Sequence, residues 1–185
     1  MNYAYTNAAL KQELQKVIDL ARRNLGVSKP WLQNDGSTRR KKIDTTGTLW
    51  KSLQITDITE TDGVFSIGIM MEGYGNFIDQ GVSGTRYKTP QPSPFSFKND
   101  GVSRAMQSNI LKWMGKKRIR LRDLTTGKFK KGGASSRKGL AYVIARGVKR
   151  KGINQTFFLT KPLNATLETL PVIIAEAIFK DLENQ

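Results

Sequence analysis

The sequence predicts a single α+β domain: a small antiparallel sheet, built on a hairpin at about 54–71, packed by an N-terminal helix, a central helix and a long C-terminal helix. Three observations predict it. Leu10, Leu14, Val17, Ile18, Ala21 and Leu25 recur at helical spacing. Phe65, Ile67, Ile69 and Met71 alternate with Ser66, Gly68 and Met70 after a Thr61-Asp62-Gly63 turn signal. Leu163, Leu167, Leu170, Ile174, Ala177 and Ile178 return to helical spacing near the end. A chain of 185 residues has room for one such core, and no internal repeat is visible.

In chain order, the first helix is capped by Thr6 or Asn7 and closed by Gly26. Residues 28–42 read as a loop, with Pro30, Gly36 and the run Arg39-Arg40-Lys41-Lys42, and Trp31 covering the core edge. Residues 44–53 form a helical turn feeding the first hairpin strand. That strand breaks its alternation between Ile55 and Ile58, which predicts a bulge. Residues 74–81 form another helical turn ended by Gly81. Pro90, Pro92 and Pro94 then keep 82–97 irregular. Val102, Met106, Ile110, Trp113 and Met114 predict the central helix, over about 103–114. A basic arm at 116–138, rich in glycine and poor in apolar residues, is read as an insertion within the domain, extended or hairpin-like. Leu140, Ile144 and Val148 make a helix stopped by Gly152, residues 156–159 a short buried strand, and Pro171 a kink in the last helix. Leu14, Ile18, Ile67 and Ile174 are the expected core.

The absent residue types restrict the chemistry. The chain has no Cys and no His, which excludes disulfides, thiolate nucleophiles, Ser-His-Asp triads and the commonest transition-metal ligands. Metal-dependent carboxylate chemistry remains, yet none of the 15 acids occurs as Asp/Glu-x-Lys, a spacing many nucleases use. The expectation is no enzyme activity, no cofactor and no metal site. No basic stretch followed by an apolar one opens the chain, and no uninterrupted apolar run approaches about 18 residues. A soluble chain, intracellular at synthesis and without a membrane partner, is expected.

Charge is distributed unevenly. Of 31 Lys and Arg, 16 fall between Gly101 and Lys151, where Asp123 is the one acid. Lys116, Lys117, Arg118, Arg120, Arg122, Lys128, Lys130 and Lys131 crowd the arm. From Ser52 to Thr85 there is no basic residue, while Asp57, Glu60, Asp62, Glu72 and Asp79 make an acidic surface complementary to it. Such asymmetry points to a partner rather than to the fold. The arm can contact protein, contact nucleic acid, or remain a solvated charge run. For Tyr74, Phe77 and Trp113, packing outweighs ligand binding. For Asp79 a turn hydrogen bond outweighs catalysis, because no second acid or base accompanies it.

Three segments carry a resemblance. Asp44-Thr-Thr-Gly47-x-Leu49-x-x-Ser52 resembles the Asp-Thr-Gly-x-Leu-x-x-Ser element of tailed-bacteriophage neck and tail-completion (head–tail joining) proteins, with one extra Thr. Tyr74-Gly-x-Phe77-Ile-Asp79-Gln-Gly81, followed by Ser93-Pro94-Phe95, is similar to that family's Tyr-x-x-Phe-Val-Glu-x-Gly-Thr stretch. Residues 141–153 and 157–162 are similar to a third element of some members. The order and spacing of the three carry the resemblance, over most of the chain.

The resemblance implies one neck-like domain over 1–185 with the 116–138 arm inserted. It implies a non-enzymatic structural virion protein, made in the host cytoplasm and placed at the head–tail junction. It also implies a homo-oligomeric ring of 6 or 12 subunits, adjacent portal, neck or tail proteins as partners, and double-stranded DNA passing through the channel. The alternative from another class is a basic nucleic-acid-binding protein using residues 116–151. Against it, Phe129 alone in the arm could stack on a base, and no known nucleic-acid-binding motif is present.

Overall fold

The computed structural model describes residues 3–44, 46–122, 126–130 and 132–184. Among them the chain is α+β, with six helices and short strands paired two by two, all antiparallel. The order is α1 (Ala4–Gly26), β1 (Lys29–Leu32), β2 (Thr38–Lys41), α2 (Thr48–Ser52), β3 (Gln54–Ile55), β4 (Thr59–Thr61), β5 (Val64–Ser66), β6 (Ile69–Met70) and α3 (Gly75–Asp79). It continues with β7 (Val82–Ser83), α4 (Arg104–Lys116), β8 (Leu121–Arg122), β9 (Phe129–Lys130), α5 (Ala134–Lys151), β10 (Gly152–Ile153) and α6 (Thr160–Glu183).

The chain falls into two compact units. The first takes Met1–Gln33, Ser37–Gln80 and Gln155–Gln185; the second takes Asn34–Gly36 and Gly81–Asn154. Where the sequence predicts one core, buried apolar residues divide between the units. The stripes of α4 and α5, read as part of a common core, bury Met114, Ala141 and Ala145 in the second unit. The central helix therefore has α5 as its packing partner, whereas the sequence places it over the hairpin.

In the first unit α1 and α6 lie along each other. Ile18, Ala21, Leu25, Leu49, Leu53 and Phe158 form the core, with Ile55, Ile69 and Met71 packed partly buried against it. Each fully buried Leu or Ile there contributes about 1.5–3 kcal/mol. Of the four expected core residues Ile18 is buried, whereas Leu14, Ile67 and Ile174 are half-buried. The Arg22 guanidinium donates to the Trp50 and Leu53 carbonyls at 3.3 and 2.9 Å, placing a cation at the C-terminal end of α2.

The predicted hairpin forms in two registers. Thr61 pairs with Val64 and Thr59 with Ser66, but Ile55 pairs with Ile69. Residues 56–58 thus oppose only 67 and 68, so the first strand carries one extra residue between Ile55 and Ile58, as its broken alternation predicts. Thr56 bridges the bulge: its N–H donates to the Gly68 carbonyl at 2.9 Å, and its hydroxyl accepts from the Gly68 N–H at 2.8 Å. The tip turns at Asp62 and Gly63, both at positive φ, which suits a two-residue hairpin turn. Tyr3 stacks edge-on against Phe65, 5.0 Å between centroids.

Four sequence expectations change. Residues 29–32 and 38–41 form a two-stranded ribbon instead of a loop. Helix α1 begins at Ala4, before Thr6, and Gly26 ends it without a left-handed conformation. Residues 156–159 form no strand, because their backbone is held by Asp79. Helix α5 begins at Ala134, so the last part of the expected arm is helical.

Helix α6 continues through Pro171 for 24 residues. By length and composition it could cross a membrane, although no uninterrupted apolar run is present. Ala177 and Asp181 face inward, while Val172 and Phe179 are exposed.

Candidate functional site

The first motif segment, residues 74–80 of the second and residues 157–162 of the third lie in the first unit, whereas Gly81, 93–95 and 141–153 lie in the second. In the first, the Asp44 carboxylate accepts from the backbone N–H groups of Thr46, Gly47 and Trp50 at 3.1, 2.9 and 2.8 Å. It so satisfies free donors at the start of α2. Gly47 holds a left-handed conformation just before that helix. Leu49 is core, and Ser52 links α2 to the end of the hairpin, donating to the Leu49 carbonyl and accepting from the Glu72 N–H.

The second and third segments are joined by Asp79, which is 3% exposed. Its carbonyl accepts from Thr156 and Phe157 at 3.1 and 2.9 Å. Its carboxylate accepts from the N–H groups of Leu159 and Thr160 at 2.8 and 3.3 Å, and from the Thr160 hydroxyl. These contacts close on the turn that carries Phe158 into the core with Leu49 and Leu53. The acidic surface is corrected here: Asp79 is not part of it, because its carboxylate is buried and occupied. Asp57, Glu60, Asp62 and Glu72 are exposed.

Tyr74 and Phe77 are partly exposed, as is Trp113, so none is fully packed away. Burial, followed by the nearby Asp44 and Glu72 charges, raises the Tyr74 phenol above its ordinary value. Gly81 takes positive φ, and its carbonyl accepts from the Ser93 hydroxyl at 2.8 Å, beginning the fold-back of the Pro-rich loop in the second unit.

The basic arm is a hairpin in its described part: Leu121 pairs with Lys130 and Arg122 with Phe129. Lys116, Lys117, Arg118, Arg120, Arg122 and Lys128 are exposed. Lys130 is placed by its backbone pairing, and Lys131 lies outside the described residues. Among the described residues no carboxylate lies within 4.0 Å of those six cations. Arg122 instead lies over the Phe129 ring, 4.7 Å from its centroid. A cleft of about 540 Å³ opens at the root of this hairpin, between it and the helices that flank it.

The cations on the last turns of α5 are different. Arg150 contacts Asp100 at 2.7 Å, Arg146 the same carboxylate at 3.8 Å, and Lys151 contacts Asp35 at 2.8 Å. Hydrogen bonds from Thr85, then from Arg150, hold the Asp100 carboxyl below its ordinary range. These contacts were illegible in the sequence, since 50 residues separate Asp100 from Arg150 and 116 separate Asp35 from Lys151.

Among the described residues no cluster of three or more His, Cys, Asp or Glu could hold a metal ion. Comparison with protein-family models, curated proteins and solved structures finds no match for this chain.

Proposed function

We propose that this chain is a structural virion protein of a tailed phage, forming a homo-oligomeric ring of 6 or 12 copies at the head–tail junction around the DNA channel. The observation that carries this reading is the pairing of two unlike surfaces on one chain. One is a cationic hairpin with no carboxylate partner among the described residues; the other is a hairpin whose exposed charges are all acidic. Closed rings use heterologous contacts, so each subunit must carry both halves of the contact. The motif acids support a role without chemistry, since Asp44 and Asp79 spend their oxygens on backbone N–H groups.

The competing reading is a nucleic-acid-binding protein using 116–151. The exposed arm cations, without a carboxylate partner among the described residues, favour it; the pairing of Arg146, Arg150 and Lys151 with Asp100 and Asp35 removes part of its basic face. Electron microscopy and particle-mass measurement of the purified chain at low salt separate the two. Closed rings with a central opening are expected. A monomer that binds duplex DNA at nanomolar affinity, with a steep log–log salt slope, would replace the ring with the second reading.

A further inference from the structure

The cleft at the root of the basic hairpin combines two properties that a solvated charge run lacks. Its floor is apolar, built from Met114, Ile119, Leu121 and Phe129. Its rim carries the guanidinium groups of Arg118, Arg120 and Arg137. Gly132 lets the chain pass close over the floor, since a Cβ there would lie 2.0 Å from Leu121 Cδ1. Phe129 is 62% exposed even with Arg122 over its ring, so this part of the floor is open to a partner.

A phosphate backbone would satisfy the rim but leaves the floor unmatched, because it offers no apolar surface to bury. The matching occupant is an apolar projection with a carboxylate beside it. The acidic hairpin provides one at its tip: Val64 is 63% exposed and follows the tight Asp62-Gly63 turn, with Asp62 exposed at that turn. The cleft volume accommodates a few side chains of that kind.

We infer that this cleft is the socket for the acidic hairpin tip, residues 59–66, of a second copy of the chain. The inference rests on the ring reading above and names the contact that closes the ring. Val64 lies on the apolar floor, and Asp62 at the turn faces the arginine rim. Because knob and socket differ, each copy gives one and receives one, which propagates head to tail until the ring closes. The opposite charges steer encounter, and the apolar floor slows release.

The natural chain has no cysteine, so single-cysteine variants report the contact cleanly. Full-length V64C and F129C proteins are mixed under mild oxidation at low salt. A disulfide-linked dimer containing one of each is expected, with its yield falling about tenfold at roughly 0.5 M NaCl as charges are screened. R118E/R120E should abolish the link, and adding D62K to its partner should restore part of it. R118Q/R120Q, which adds no charge, should weaken it to an intermediate yield. No link while the natural chain forms rings overturns the socket and leaves the ring reading intact. A link without closed rings upholds the socket and sinks the ring. Loss of duplex-DNA binding in R118E/R120E, with no V64C–F129C link in the otherwise natural chain, would overturn the socket and make the cleft a nucleic-acid interface.

Discussion

Asp181 and Thr6 lie 175 positions apart, yet Asp181 Oδ2 accepts from the Thr6 N–H at 2.8 Å and from its hydroxyl at 2.6 Å. Oδ1 accepts from the Tyr5 N–H, also at 2.8 Å. The carboxylate thus fills the place of a local cap: it satisfies two of the free N–H groups opening α1 and sets a negative charge against the positive end of that helix. Burial pushes the Asp181 carboxyl up, but the hydrogen bonds from Thr6 and Tyr5 outweigh it and hold the group below its ordinary range.

A pH-dependent stability follows from that depression. A carboxyl with a lowered folded-state value stabilises fully above the unfolded value, about 3.9, and loses the effect as pH falls through the folded value. Asp181→Asn should melt at a lower temperature than the natural chain at pH 7. The gap should shrink as pH drops below about 4. Melting curves from pH 7 to 3 check this, and a gap of constant width would assign the effect to hydrogen-bond geometry without charge.

Asp79 and Asp57 provide a contrast between acids of one charge and different work. Asp79→Asn removes a buried charged acceptor from the Leu159–Thr160 turn and should cost about 2–4 kcal/mol in urea unfolding. Asp57→Asn, exposed in the hairpin bulge, should stay within about 0.5 kcal/mol. Equal costs would show that Asp79 does not hold the Phe158 turn.

How far the sequence could be read depends on the range of each interaction. The hairpin bulge was legible because Ile55 and Ile58 break a local alternation. The ribbon at 29–41 was not, since its second strand, Thr38–Lys41, carries no apolar residue to set a period. The structural use of Asp44 was legible as a turn within a few residues. The partners of Asp79 lie 80 and 81 positions away, beyond any local pattern, so its acid was counted with an exposed surface. The division into two units was missed for a related reason: the α4 and α5 stripes announce burial without saying against what.

Gly84 and Gly152 mark a backbone crossing that the sequence does not announce. Their strands meet where β7 pairs with β10, Gly152 opposite Ser83. A Cβ on Gly84 would lie 2.1 Å from the Arg150 carbonyl oxygen; one on Gly152 would lie 2.1 Å from that of Val82. Gly152 also has φ of +80°, where other residues are strained. Either changed to Ala should lose more than about 2 kcal/mol, because backbone atoms must move. Gly26→Ala is the control. It has no heavy atom within 4 Å of the new Cβ and sits in helix, so it should be neutral or stabilise by up to about 1 kcal/mol. Urea unfolding of the three variants checks the ranking.

The basic hairpin should govern assembly without governing folding. Arg118, Arg120, Arg122 and Lys128 are exposed and have no carboxylate partner among the described residues, so they add little ion pairing to the monomer. Among the described residues of this stretch, Ile119 and Leu121 are half-buried and Phe129 is exposed. Replacing 118–132 by a short Gly-Ser linker should therefore shift the melting temperature by only a few degrees, equivalent to about 1 kcal/mol. Assembly should respond much more strongly. An exposed ion pair gives only about 0–1 kcal/mol, so a contact of several such pairs per subunit is weak singly and strong when repeated around a ring. Raising salt from about 0.05 to 0.5 M shortens the screening length from above 10 Å to below 5 Å and should dissociate the natural rings. The linker variant should remain monomeric at both salts. Sedimentation of the two proteins across that range reads the outcome directly. Rings formed by the linker variant, or natural rings indifferent to salt, would return the hairpin to a solvated charge run and leave closure to another surface, such as the exposed Val172 and Phe179 side of α6.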